Sequence, residues 1–416
     1  MLLCIIIPIQ NLFRIVFTYM SIYFTMAVLE VAPDIYSVGS QDWNRTLFDA
    51  FVGLPKGTSY NSHLICGSEK TALLNAIDPD MEEDLITHLI RLKVSSIDYI
   101  IALHTEQDHV GAIPILLELF PSAIVVCTQS GMELLGHHLG VNPEQCKVIS
   151  DNEELSLGNK TLQFMVTPWV HWPDSMLAYC PEDKILFSCD LFGSHYATSD
   201  LFVTDFAEGE VLAKRYFAEI MMPFRTSIVE YLDRLKTKDI EIIAPSHGPC
   251  IKPASHIMDL YRTWTSDETK NLVVIPYVSM HGSVKRMVHH LSDVLIENGI
   301  SVQLYDLTTA DTGDIAASLV DARTLILGTS TMLFGPHPLA ASVAFVANMV
   351  RPKTKYLGII GSYGWGGRTV EVLSELTATM QAERLDPVFI QGAPDEKAYD
   401  ELDALAQAIF DRHKMN

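Results

Sequence analysis

The C-terminal third of the chain alternates so regularly between two periods that few folds can hold it. The apolar runs LVVIPY, VQLYDL, TLILGT, YLGIIGS and PVFIQ each lead into a helical or loop crossover. After the first run a helical pattern begins, with Val284, Met287, Val288, Leu291 and Leu295 on one face. Strands that are apolar on both faces, separated by amphipathic helices, predict a doubly wound parallel sheet of five strands.

Upstream the pattern is different. HLICGSEKTALLNAI, SIDYIIAL, SAIVVCT, TLQFMVT, KILFSCD and IEIIAPS are strand candidates, and MEEDLITHLIRLK and FRTSIVEYLDRLKT carry helical spacing. The polar stretch SDETKN separates the two regions, giving expected domains at 26–265 and 271–416. The apolar residues 1–25 are long enough for a membrane anchor, but Pro8, Gln10, Asn11 and Arg14 interrupt them. They lack the basic start and small-residue cleavage site of a signal peptide. The preferred reading is a translation start at Met20 or Met26, in a cytoplasmic protein. A formal charge of -22 argues against nucleic acid or anionic lipid as partners. Seven cysteines without a C-x-x-C pair support no rubredoxin module, iron–sulfur cluster or cysteine zinc site, and suit free thiols in a reducing cytoplasm.

Chemistry gathers at the ends of the upstream strands. HTEQDHVGA, residues 104–112, places two histidines and two acids just past an apolar run. His171 follows LQFMVTPWV, Asp190 follows KILFSC, and His247 follows EIIAPS. A lone loop histidine is usually a surface residue, but several strand ends carrying His and Asp together suggest a metal centre. Asp174, close behind His171, reads as a supporting residue or turn cap, and His195 is ambiguous. The adjacent pairs His137–His138 and His289–His290 lie on expected helices and cannot share one face, so they are read as surface or partly packed.

The spacing H-x-E-x-D-H, then a distant His, an Asp and a His, resembles the flavodiiron proteins, a branch of the metallo-β-lactamase fold. DWNRTLFD, PKGTSYN, HWPDSM, CDLFG and PSHGP extend the resemblance from about Val28 to the C-terminus. It implies an N-terminal metallo-β-lactamase-like αββα sandwich followed by a flavodoxin-like sheet. It would place His104, Glu106 and His171 on one iron, Asp108, His109 and His247 on the other, and Asp190 between them. The donor chemistry agrees. Where a zinc β-lactamase-type H-x-H-x-D-H motif has imidazole, this chain has Glu106, and the harder carboxylate favours iron or manganese over zinc. Three carboxylates leave two divalent ions, or two trivalent ions with a bridging oxide, at the same net charge of plus one. A redox centre can use that constancy; a hydrolase does not need it.

In the second domain SMHGSV lies between the first strand and the first helix, and its small residues can wrap a phosphate at the helix N-terminus. GTSTMLFGPHP (328–338) and SYGWGG (362–367) resemble the loops that flank the isoalloxazine ring in flavodoxins and flavodiiron proteins. The candidates are Ser279, Met280, His281, Gly282, Ser283 and Val284 in the first loop, Ser330, Thr331, Leu333, Phe334 and Gly335 in the second, and Ser362, Tyr363, Gly364, Trp365 and Gly366 in the third. With one phosphate cradle and nothing for an adenine, the expected cofactor is FMN, alongside two iron ions. Leu103, where the family often has Asn, and the apolar TMLF at 331–334 depart from the family pattern and bear on donor docking.

The expected function is reduction of dioxygen to water, of nitric oxide to nitrous oxide, or both, with electrons passing through FMN to the di-iron centre. The resemblance implies an external donor, rubredoxin or reduced deazaflavin coenzyme, and a head-to-tail homodimer or dimer of dimers. The alternatives are a dinuclear metallohydrolase with an appended flavodoxin-like module, and an electron-transfer flavoprotein with a degenerate metal domain. The latter would require missing ligands, and all seven are present.

Overall fold

The computed structural model describes residues 27–414. The segment 1–25, with its alternative readings, lies outside the described residues. Among the described residues no helix is long and apolar enough to cross a membrane.

Two sheets face one another in the first domain. The first holds β1 (Leu29–Ala32), β2 (Ile35–Ser37), β3 (His63–Cys66), β4 (Thr71–Leu74), β5 (Tyr99–Ile101), β6 (Ile124–Cys127) and β7 (Cys146–Val148), side by side in chain order. The second holds β8 (Glu154–Ser156), β9 (Thr161–Val166), β10 (Met176–Cys180), β11 (Ile185–Cys189) and β12 (Ile242–Pro245). Side chains alternate across each strand, so consecutive residues enter different cores. Ile101 and Val126 point into the layer between the sheets, where Phe164, Ala178 and Phe187 meet them. Ile100 and Val125 point the other way, under helices that supply Leu85, Leu89, Leu116 and Leu135. Leu177, Leu186 and Ile243 are covered on the far side by Tyr216, Ile228, Leu232 and Tyr261. The result is the expected four-layer αββα sandwich.

In the second domain β13 (Lys270–Val278), β14 (Ser301–Asp306), β15 (Ala322–Met332), β16 (Tyr356–Tyr363), β17 (Glu383–Arg384) and β18 (Val388–Gln391) form the parallel sheet. Its order begins β14-β13-β15-β16, and the crossover from β14 past β13 to β15 leaves a switch point at the carboxyl ends of β13 and β15. Separate apolar clusters cover its two faces. The fifth position differs from the single strand expected at PVFIQ. Both β17 and β18 pair with β16, because Pro387 between them has no N–H to continue the ladder. HLICGSEKTALLNAI is likewise two antiparallel strands, β3 and β4, and β10 was not anticipated.

The two domains share a packed surface. Ala316, Val320 and Val350 of the second join the core beneath Tyr216 and Phe217 of the first. Arg215 crosses this boundary, with its guanidinium 2.5 Å from Asp311, 3.0 Å from Asp314 and 2.9 Å from the Gly53 carbonyl.

Candidate metal and flavin centres

The seven candidate metal residues converge at one edge of the sandwich, where β5, β9, β11 and β12 end. Glu106 Oε2 lies 3.3 Å from His104 Nε2 and 3.4 Å from His171 Nε2. The Asp108 carboxylate lies 3.4 Å from His109 Nε2 and 3.2 Å from His247 Nε2. Asp190 stands between these two nests. Its Oδ2 is 3.5 Å from His171 Nε2, and its Oδ1 is 3.2 Å from His109 and 3.3 Å from His247.

Local backbone features produce this aim. The β11–β12 ladder shifts register between Phe187 and Cys189, and Cys189 takes a φ of 53°. A bulge of this kind re-aims the next side chain, which is Asp190. Asp108 and His109 sit on the short helix Gln107–Val110, immediately after Glu106. His171 lies on the loop between β9 and β10 rather than directly at a strand end.

A surrounding layer of hydrogen bonds orients the rings. Asp174 meets His104 Nδ1 at 3.3 Å and accepts from Thr105 Oγ1 at 2.8 Å, the supporting part read for it in the sequence. His247 Nδ1 faces the Ser59 carbonyl at 2.7 Å, and the Tyr216 hydroxyl donates to Asp190 Oδ1 at 3.1 Å. PKGTSYN therefore acts through Ser59 and also through Asn61, whose amide donates to the Pro245 and Gly248 carbonyls on either side of His247. His195 is buried beside the centre, its ring 5.3 Å from His247 and its Nδ1 2.9 Å from Thr58 Oγ1. Tyr216 carried no signal in the sequence, and Ser59 none beyond its place in PKGTSYN, since their contacts span distant segments. Asp49, inside DWNRTLFD, was also missed. Burial, and then the charges of Glu106 and Asp108, raise its carboxyl pKa. His137 and His138 are exposed, whereas His290 packs against Tyr399 and meets Asp403 at 2.7 Å, so neither pair joins the centre.

The electrostatics show what this cluster suits. Burial alone would lower His104 and His247, but the carboxylates of Asp174 and Glu106 raise His104 to about 10, and those of Asp108 and Asp190 raise His247 to about 10. Burial opposes ionisation of Asp108, yet the nearby imidazoles hold it at about 2, and they hold Asp190 well below the usual carboxylate range. Both Asp108 oxygens are buried without a hydrogen-bond donor. A buried carboxylate in that condition requires a cation. The residues His104, Glu106 and His171, and again Asp108, His109 and His247, bring ligand atoms within 4.8 Å of one another. The donor set fits two metal ions.

All three candidate flavin loops lie at the carboxyl ends of β13, β15 and β16, at and beside the switch point. The helix Ser283–Glu297 starts after Gly282, which has a φ of 86° and no side chain of its own to cap the first turn. Ser279 Oγ accepts from Gly282 N at 3.1 Å and from Lys285 N at 3.2 Å, which shapes the loop, and Met280 N reaches Ser330 Oγ at 3.4 Å. A Cβ added at Gly282, Gly335, Gly364 or Gly366 would meet nothing within 4 Å. Phe334 and Trp365 pack edge to face at 5.0 Å, and both remain largely exposed with Leu333. A helix N-terminus whose Ser283 and Val284 amides face no side-chain cap, beside open space edged by Phe334 and Trp365, fits a phosphate joined to a flat ring.

Comparison with known proteins gives the same class. The ODP family beta lactamase model matches residues 58–248. The nitric oxide reductase of Moorella thermoacetica is 36% identical over 353 residues, spanning 83% of this chain and 88% of that protein. The rubredoxin oxygen:oxidoreductase of Desulfovibrio gigas superposes with a TM-score of 0.89 at 28% identity, covering 94% of this chain and 99% of that one. The flavodiiron protein from Giardia intestinalis superposes at 0.86 with 26% identity, covering 94% and 99%. The chain belongs to the flavodiiron protein family, as its motifs implied.

Proposed function

We propose that the chain is an oxidoreductase that reduces dioxygen to water, nitric oxide to nitrous oxide, or both, with electrons from an external donor. The carrying observation is the division of Asp190 between two nests, with Oδ2 toward His171 and Oδ1 toward His109 and His247. His104, Glu106 and His171 would hold one iron, Asp108, His109 and His247 the other, and Asp190 would bridge them. The printed names of two relatives, a nitric oxide reductase and a rubredoxin oxygen:oxidoreductase, support this substrate class. When bound, FMN and the two irons supply a store of four electrons, which dioxygen needs, or two, which a pair of nitric oxides needs.

The chain's own residues prepare that chemistry. Asp174 takes the Nδ1–H of His104, and the Ser59 carbonyl takes that of His247, so each Nε2 lone pair turns inward. The Tyr216 hydroxyl keeps its proton, because burial and then the charge of Asp190 raise its pKa, and it spends that proton as a hydrogen bond to Oδ1. Glu106 and His171 are only partly buried, so the centre opens on their side. In the second domain the N-terminus of Ser283–Glu297 would take the FMN phosphate, with Ser279 shaping the loop and Trp365 and Phe334 beside the ring.

Rubredoxin or reduced deazaflavin coenzyme would be the donor. A head-to-tail homodimer, or a dimer of such dimers, in the cytoplasm is the proposed setting. The exposed Leu333, Phe334 and Trp365 at the flavin end support a docking role for that end. The test is metal and flavin analysis of the purified protein, followed by anaerobic stopped-flow of the photoreduced form against dioxygen and nitric oxide. Two irons, bound FMN and reoxidation by one of the gases are expected. Two zincs without flavin would return the chain to the hydrolase reading.

A further inference from the structure

Three consecutive residues end the helix Phe206–Tyr216, and two of them hold the second domain while the third reaches the metal centre. Successive side chains on a helix turn by about 100°, so Lys214 and Tyr216 lie on nearly opposite sides. Lys214 donates to Asp321 at 2.7 Å and Arg215 donates to Asp311 and Asp314. Together they grip the helix Thr312–Leu319 of the second domain at both ends. Tyr216 donates instead to Asp190 Oδ1 at 3.1 Å. A π-helical turn, Phe217–Met221, follows at once and brings Glu219 Oε1 to 3.3 Å from Arg215 Nε.

The seat of Arg215 is closely built. Its side chain is only 8% exposed and meets the carboxylates of Asp311, Asp314 and Glu219 and the Gly53 carbonyl. A cation at a helix N-terminus is ordinarily disfavoured, but here Asp311, which caps that helix, and Asp314 reverse the local charge. A glycine from each domain leaves room for the guanidinium. A Cβ on Gly53 would lie 3.3 Å from Arg215 Nη2, and one on Gly313 would strike both the guanidinium and Glu219 Oε1. A planar fork held between two carboxylates of one helix fixes direction as well as distance.

We propose that Arg215 is a positioning residue for the metal centre: its grip on the second domain holds the end of the helix Phe206–Tyr216 where the Tyr216 hydroxyl reaches Asp190. This role rests on the reading of Asp190 as the ligand shared by two metal ions. A shift of the helix end by about 0.5 Å takes the 3.1 Å contact past hydrogen-bonding distance. Asp190 Oδ1 faces His109 and His247, so the consequence falls on the position they share with Asp108. The second domain thus shapes the metal centre without supplying a ligand to it.

The test exchanges the metals of the full-length protein for cobalt(II) and titrates the two positions against a chelator, read by the visible spectrum. Cobalt fills zinc and iron sites alike, so the result does not depend on the gas chemistry, which metal analysis of the native protein judges separately. Two variants unseat Arg215 from the second domain. Gly313→Ala favours the helix itself, so a weakened site cannot come from helix propensity. Asp311→Asn with Asp314→Asn keeps a capping side chain and removes both charges. Each should weaken one cobalt position by about tenfold or more, alter its visible bands and leave the other within about twofold, as Tyr216→Phe should. Added to Tyr216→Phe, neither should weaken that position further, because the hydrogen bond through which Arg215 acts is already gone. Unchanged affinity in a folded variant, equal loss at both positions, or a loss that adds to that of Tyr216→Phe would overturn the proposal. Should Gly313→Ala fail to fold by circular dichroism, the asparagine pair decides.

Discussion

Replacing Asp174 by Asn should loosen one metal position and spare the other. The two nests are supported differently. His104 rests on a charged side chain, Asp174, at 3.3 Å, whereas His247 rests on the Ser59 backbone carbonyl at 2.7 Å. Asp174→Asn keeps the shape and leaves the backbone carbonyl of residue 174 available to Thr128, so the local fold should survive. It removes the anion that helps raise His104 to about 10 and that fixes its tautomer. Loss of such a supporting carboxylate typically weakens metal binding by about 10- to 100-fold, or about 1.4 to 2.7 kcal/mol. The assay is anaerobic titration of demetallated protein with ferrous iron against a competing chelator, resolving two affinities. One should fall by that factor while the other stays within error, leaving a mononuclear form at intermediate iron. Equal weakening of both positions, or of neither, would refute the assignment of His104 and His247 to different irons.

Glu106→His should convert the iron preference into one for zinc and abolish gas reduction, read by metal analysis and turnover; unchanged iron content would defeat the argument from ligand hardness. Ser283→Asp places a negative charge in the first turn of the helix Ser283–Glu297. One charge against a dianionic phosphate about 5 Å away repels by about 1.7 kcal/mol in a water-like dielectric. FMN affinity, measured by flavin fluorescence, should therefore fall by roughly tenfold or more with iron content intact, and an equal affinity would discard that phosphate site. Burial depresses His63 and His413 to about 4, below the 6.5 of an exposed imidazole. The unfolded chain then binds more protons between those values, so stability is fully present above 6.5 and is lost as the pH falls toward 4, by up to about 3 kcal/mol per group. His413→Gln should flatten that slope in denaturant titrations, and an unchanged slope would mean that His413 is not the neutral, doubly hydrogen-bonded ring between Thr324 and Asn271.

What could be read in the sequence was local, and what could not was through space. The metal candidates were visible because apolar strands end in His or Asp, a pattern that neither core packing nor turn chemistry explains. β13, β15 and β16 were visible because strands buried on both faces read as nearly unbroken apolar runs. β10 escaped because Met176–Cys180, also buried on both faces, has no β-branched residue to mark it against the preceding loop. The bulge at Cys189 is a register feature, set by the partner strand rather than by the residues alone. The cysteines show the same limit most sharply. Without a C-x-x-C pair they read as scattered free thiols, and that spacing rule still counts against a rubredoxin module. Yet parallel pairing of β6 with β7 puts Cys127 and Cys146 on one face of the sheet, with Cys146 opposite Val125. In a parallel sheet, neighbours must come from segments separated by a whole crossover, here the helix Gln129–Leu139. A motif search over short windows is therefore blind to any pair of side chains that such a sheet brings to one face.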